Sequence, residues 1–415
     1  MNTRLKRIGL PALAALLPLA GWTVDALSLT PEVSKLLPAA VAVEMQDAAG
    51  TSLRTVNGTL VPQGVVVQVS ALAKAAKASV RSRSGETWAT SEVLATNAAV
   101  GLAVLKLPNP PLTPLAFPPS GAYTAKSRVF LLNGPGVGAD SVSATIYENF
   151  MLRNTGADLC PVVPGIPGAG PVVDERGRFL GVACDLSEGS YNFGYIVPMG
   201  SVRVVANTVG QGGPISNFAG ASVPAYEQRD ATTGLVFRGA VLTKAERWDD
   251  ARFFLDQALK RDPNAADAYY WSGQALFGGQ QFQRAAEDFV LAGQKDATFH
   301  LAWHMAGAAQ NQAADYNKAI EMYQKALEVK PTAADTYCNL GGAYYNLQRI
   351  DDAVAAFRKS IELDPRYARG LAYTNLALVL NGAGRRDEAE AVYRDLNQVS
   401  PEWAQRLRAA LDGAR

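Results

Sequence analysis

Histidine is nearly missing from this chain: its 415 residues contain two, His300 and His304. A serine hydrolase needs a base to take the hydroxyl proton, and a papain-like site needs an imidazole beside its thiol. Nothing before residue 300 supplies either, which leaves a Ser-Lys dyad as the formal remainder, and no serine sits on a recognisable nucleophile turn. Cysteine is scarce, with Cys160, Cys184 and Cys338 the full set. An excess of one charge is missing too. Lys+Arg 39 against Asp+Glu 38 gives a formal net charge of +1, no electrostatic footprint for nucleic acid or an anionic membrane. Long apolar runs are absent: Ile8 to Ala20 falls short of the roughly 20 residues a transmembrane helix needs. Trp22 stands where a lipoprotein box would need its cysteine.

The chain is long and apolar enough, at 48% hydrophobic, to bury two ordinary cores. Arg4, Lys6 and Arg7 ahead of the apolar run, and Val24-Asp25-Ala26 after it, read as a secretory signal peptide over residues 1–26. Export to a bacterial periplasm or beyond is therefore expected, with no integral membrane segment once the signal is removed. In that oxidising space Cys160 and Cys184 are near enough in sequence to form a local bridge that leaves Cys338 unpaired. Three buried thiols are the alternative.

The second half repeats itself. Alanines 251, 285, 319, 353 and 389 are spaced 34, 34, 34 and 36 residues apart, and four residues after each comes Leu255, Phe289, Tyr323, Phe357 or Tyr393. Another column holds Leu235, Tyr269, Trp303, Tyr337 and Tyr373, followed four residues on by Gly239, Gly273, Gly307, Gly341 and Ala377. Prolines 263, 331, 365 and 401 close most units. Small residues let two antiparallel helices approach, large ones fill the space between them, and proline ends the second helix. This pattern resembles the tetratricopeptide repeat (TPR) family, best in Ala334 to Tyr367. The resemblance implies an all-α solenoid of five repeats over 232–403 and a capping helix over 404–415.

Residues 37–206 are rich in valine, glycine and proline, and their short apolar runs predict an all-β barrel or sandwich. Gly101 to Leu107, Gly168 to Gly181 and Gly194 to Pro198 resemble, in order, three motif regions of trypsin-like proteases of the HtrA type. That resemblance implies a trypsin-like double barrel with its triad gone. Ala71 takes the histidine position, Gly101 the aspartate position and Gly168 the nucleophile position. It further implies that Cys160 and Cys184 flank the vestigial cleft. The segment 207–231, rich in Gly, Ser, Pro and Asn, reads as a linker.

In TPR arrays the first helix of each unit lines the concave face. The matching positions here offer Tyr270, Trp271, His304, Asn339 and Asn375 as peptide-groove candidates. The two asparagines fall where relatives hold a peptide backbone through paired amide bonds. A Lys/Arg clamp for a carboxylate tail is missing, so an internal peptide segment is the expected partner. His300 and His304 lie at i and i+4, but no third ligand is in view, so they read as helix-surface histidines with neither metal nor cofactor expected. The expected function is that of an exported, non-catalytic protein-binding or scaffolding factor. A diverged endopeptidase that recruits substrate through its repeats and a periplasmic holdase are the alternatives.

Overall fold

A computed structural model describes residues 29–97, 100–107, 114, 115, 117, 126–139, 141–146, 150, 151, 158–163, 169–187, 192–209, 218, 228, 231–367 and 370–413. The expected signal peptide, Gly168 at the expected nucleophile position and most of the expected linker lie outside these residues. Among them, no helix is long and apolar enough to cross a membrane.

After a short turn of helix, α1 (Pro31–Ser34), the strands β1 (Ala40–Gln46), β2 (Ser52–Val61), β3 (Gly64–Gln68), β4 (Lys77–Arg81), β5 (Thr87–Thr90), β6 (Val93–Asn97) and β7 (Leu102–Leu105) form one antiparallel sheet. Its spatial order is β5-β4-β1-β2-β3-β7-β6. The continuous apolar run of β3 is buried at every residue, as a strand covered on both faces requires.

The second sheet comprises β8 (Arg128–Leu132), β9 (Ser141–Ile146), β10 (Phe150–Met151), β11 (Asp158–Val163), β12 (Gly170–Val173), β13 (Phe179–Asp185) and β14 (Gly194–Pro198). Its order is β10-β11-β14-β13-β12-β8-β9, and β11 pairs again with β9, so the sheet closes on itself. Two antiparallel half-barrels thus stand where an all-β domain was expected, an arrangement consistent with a trypsin-like fold. The three motif stretches occupy β7, β12 with β13, and β14. Helix α2 (Met199–Asn207) ends the domain.

A buried polar seam joins the half-barrels. Asn57 of β2 donates from Nδ2 to Asn133 Oδ1 at 2.7 Å, and its Oδ1 accepts from the Gly134 amide at 2.7 Å. Gln68, at the end of β3, exchanges two bonds with the backbone of Asp185, 3.1 Å to its carbonyl and 3.0 Å from its amide. Each buried amide is answered from the opposite sheet, which is what makes its burial tolerable.

The second half is all helix: α3 (Thr232–Lys244), α4 (Trp248–Arg261), α5 (Ala266–Gly278), α6 (Phe282–Lys295), α7 (His300–Gln312), α8 (Tyr316–Val329), α9 (Ala334–Asn346), α10 (Ile350–Leu363), α11 (Leu371–Gly382), α12 (Arg386–Val399) and α13 (Pro401–Gly413). These are five antiparallel pairs and a terminal helix, which begins at Pro401 rather than 404. The columns of the repeat meet in space. A Cβ added to Gly273, Gly307 or Gly341 would stand 2.8, 2.6 or 2.8 Å from the ring of Phe289, Tyr323 or Phe357, and one on Gly239 would strike Leu255. Within each pair the turn passes through a left-handed residue: Glu246, Gln280, Ala314 and Gln348 at φ near 60°, and Gly384 at 76°. Leu407 and Leu411 of α13 close the last open face by burial against Ala377 and Leu396.

The two halves do not merely follow one another along the chain. Phe193 and Tyr195 of the second half-barrel share one apolar cluster with Leu235, Phe237 and Phe254 of the first repeat, and Phe218, inside the expected linker, is buried in it. The Phe193 and Phe254 rings pack edge to face at 5.9 Å.

Candidate functional site

At the seam, Ala71 is buried in the 3-10 turn Val69–Leu72 that follows β3. The Val69 amide donates to the Gly101 carbonyl at 2.8 Å, so the fold brings together the chain segments holding Ala71 and Gly101, the positions expected for the first two triad members. Gly101 has φ of 69°. Gly168 lies outside the described residues. Its neighbour Ala169 is tied to β2, its amide donating to Asn57 O at 3.0 Å and its carbonyl accepting from Thr59 Oγ1 at 2.8 Å. A methyl group at 71 and a bare Cα at 101 offer nothing that can move a proton.

The expected Cys160–Cys184 bridge meets an obstacle in the backbone. Cys160 of β11 pairs opposite Ile196 and Cys184 of β13 opposite Tyr195, so the two flank β14 at positions of opposite parity. Two strand spacings, about 9.6 Å, exceed the Cα separation that a disulfide spans. The Cys160 side chain itself lies outside the described residues. Cys338 is a free, buried thiol, and desolvation pushes its pKa up to about 12, which leaves it inert.

The expected groove residues all come from the first helix of a pair. Tyr270 and Trp271 come from α5, His304 from α7, Asn339 from α9 and Asn375 from α11. Tyr270 is half-buried, 4.8 Å from the Phe299 ring and 5.7 Å from Phe289, and its hydroxyl accepts from Gln274 Nε2 at 2.9 Å. Desolvation raises its pKa, so it stays a neutral hydroxyl. Trp271 is buried, 5.6 Å from the Tyr270 ring, so it packs inside the repeats rather than offering its face to a ligand.

The fold does bring His304 and Asn339 together, with Asn339 Nδ2 at 3.4 Å from His304 Nε2. Asn375 Nδ2 donates to Cys338 Sγ at 3.7 Å. His304 is not a helix-surface residue but is 8% exposed, while His300 is half-buried. Thr336, wholly buried on α9, presents Oγ1 at 2.8 Å from His304 Nδ1 and 3.2 Å from His300 Nε2. The same hydroxyl lies 3.4 Å from Asp335 Oδ1. Desolvation lowers both imidazole pKa values, with Asp335 pulling the other way, so both rings favour the neutral form.

Asp335 and Thr336 were missing from the residues singled out in the sequence. Their signal is an offset of one 34-residue repeat less two residues: the first helices of neighbouring units lie side by side, so a residue 32 positions after His304 faces it.

Comparison with known proteins supports the repeats. Family models described as tetratricopeptide repeat match residues 239–298 and 334–367, and one described as TPR repeat matches 311–348. DnaJ homolog subfamily C member 7 of Mus musculus is 27% identical over 181 residues, covering 40% of this chain and 36% of that protein. Heat shock protein STI1 of Saccharomyces cerevisiae is 35% identical over 89 residues, covering 21% of this chain and 15% of that one. The match thus spans about a third or less of these relatives' length. Among solved structures, MamA is similar with 26% identity and a TM-score of 0.38, covering 40% of this chain and 96% of its own. The inactive form of Rv3671c protease has 21% identity and a TM-score of 0.36, covering 43% of this chain and 93% of its own. Five helix pairs in the observed register and these matched segments together make the C-terminal half of the chain an array of tetratricopeptide repeats.

Proposed function

We propose that the chain is an exported, non-catalytic scaffold whose repeat groove holds an internal segment of a polypeptide partner, with the β domain serving as a docking module of protease-like outline. One observation carries this reading: the amide donors along the groove are poorly spent. Among the described residues, Asn339 and Asn375, both half-buried, reach a ring nitrogen at 3.4 Å and a sulfur at 3.7 Å. A peptide carbonyl at ordinary hydrogen-bond distance would be a better acceptor for either. The signal sequence supports export. The near-absence of histidine, with a methyl group at position 71 and no side chain at 101, supports a domain that docks rather than cuts.

Crosslinking in the native envelope followed by recovery of the chain tests the groove. Asn339→Ala/Asn375→Ala is expected to lose the partners that the wild type retains, and equal recovery would refute the assignment. Incubation with unfolded casein and a serine-directed probe tests the absence of catalysis. Cleavage or labelling that disappears on mutation of the β domain would make the chain an endopeptidase instead.

A further inference from the structure

The only two imidazoles in 415 residues stand one turn apart on α7, and α9 brings a carboxylate to them. One ligand atom from each of His300, His304 and Asp335 lies within 4.8 Å of the other two. The spacing on α7 puts both rings on one face. Their ring centroids are 6.0 Å apart and tilted by 38°. Asp335 enters from the first turn of α9, the neighbouring first helix. We infer that His300, His304 and Asp335 form a binding site for a borderline divalent transition ion, Zn2+ first among them, which ties α7 of the third repeat to α9 of the fourth.

The donor set selects the metal. Two imidazole nitrogens and one carboxylate suit Zn2+, Ni2+ or Cu2+, whereas Ca2+ and Mg2+ take oxygen ligands throughout. A tetrahedral ion about 2.1 Å from its ligands sets them about 3.4 Å apart, so closing the set is a matter of side-chain rotation, and His300 and Asp335 are only half-buried. Burial keeps both rings in the neutral form that coordination needs.

Without an ion the two imidazoles share one hydroxyl, while Asp335 Oδ1 accepts from the Thr336 amide at 2.8 Å. Thr336 Oγ1 has a single proton and stands near His300 Nε2, His304 Nδ1 and Asp335 Oδ1 at once. It can donate to one of them only. His304 Nε2 in turn meets Asn339 at 3.4 Å, long for a buried nitrogen. An ion among the three ligands would give each imidazole a bond of its own in place of the shared hydroxyl. Three protein ligands leave a fourth position open to water, as in zinc sites that are not purely structural. The site stands whether or not a peptide enters the groove.

The test uses the full chain, stripped with EDTA and titrated with Co2+ and then Zn2+. The expected result is the ligand-field absorption of four-coordinate Co2+ at a single site, displaced by Zn2+, with no response to Mg2+ or Ca2+. Zn2+ should also raise the melting temperature of the repeats. His300→Gln and Asp335→Asn should each weaken Zn2+ binding at least about tenfold and abolish the thermal shift, with helical circular dichroism retained. Should Asp335→Asn fail to fold, His300→Gln, whose ring is half-buried, decides alone. Absence of the cobalt band, Zn2+ affinity unchanged in His300→Gln, or a thiolate-to-cobalt charge-transfer band would each overturn the site.

Discussion

Tyr195 of β14 and Phe237 of α3 pack edge to face with ring centroids 5.3 Å apart and an interplanar angle of 66°, both rings fully buried. One belongs to the second half-barrel and the other to the first repeat, so this pair, like Phe193–Phe254, spans the boundary between the two halves. The exposed Lys126–Glu246 ion pair at 2.8 Å crosses the same boundary and adds little, as exposed pairs do.

Phe237→Ala should therefore weaken both sides at once. Truncating a buried phenylalanine costs about 3–5 kcal/mol, and here the cavity would open between domains. Calorimetry of the wild type is expected to show the barrel and the first repeat melting together. The variant should resolve into a separate, earlier barrel transition. An unchanged profile would mean that the shared cluster contributes nothing to coupling.

The fold was legible in the sequence wherever periodicity carried it. Gly341 and Phe357 could be set against each other from spacing alone, and the structure shows why: an added Cβ would lie 2.8 Å from a ring that is 1% exposed. The Tyr195–Phe237 junction left no such trace, because a contact between two different folds has no period and the apolar residues making it look like ordinary core. The histidine cluster was half legible. His300 and His304 announced themselves by rarity and spacing, but Asp335 is one of 38 acidic residues and acquires meaning only when α9 is laid beside α7. At the seam, Ala71 and Gly101 were assigned by resemblance alone, and the hydrogen bond from Val69 to Gly101 shows only that their segments are neighbours.

The turn inside each repeat offers a stabilising substitution. Ala314 is exposed and held at φ of 61°, while the corresponding residue of the fifth repeat is already glycine, Gly384. A side chain in the left-handed region costs roughly 1–2 kcal/mol, and glycine returns part of that gain as unfolded-state entropy. Ala314→Gly is expected to stabilise the repeats by about 0.5–1 kcal/mol, read as a higher urea midpoint at constant slope. A lower midpoint would show that the turn tolerates its alanine without strain.

The scarcity of histidine makes the pH dependence of stability unusually direct. Burial holds the pKa values of His300 and His304 below the usual imidazole range, desolvation being the largest cause for both and Asp335 opposing it. Lys330 lowers His300 further, and His300 lowers His304. Unfolding exposes both rings, whose pKa then returns to about 6.5. The unfolded chain therefore binds more protons than the folded one once pH falls below that value, and linkage makes stability fall with pH. The contribution is whole above about pH 6.5 and is lost progressively below it. Asp288, whose carboxyl is raised chiefly by desolvation, has the opposite sign: it favours the folded state as pH falls, in the carboxylate range. Urea unfolding in EDTA at pH 7.5 and 5.5 should show a clear loss of repeat stability in the wild type. His300→Gln/His304→Gln should show a much smaller loss across the same interval, whatever its absolute stability. Equal slopes for the two proteins would mean that neither imidazole is buried in solution.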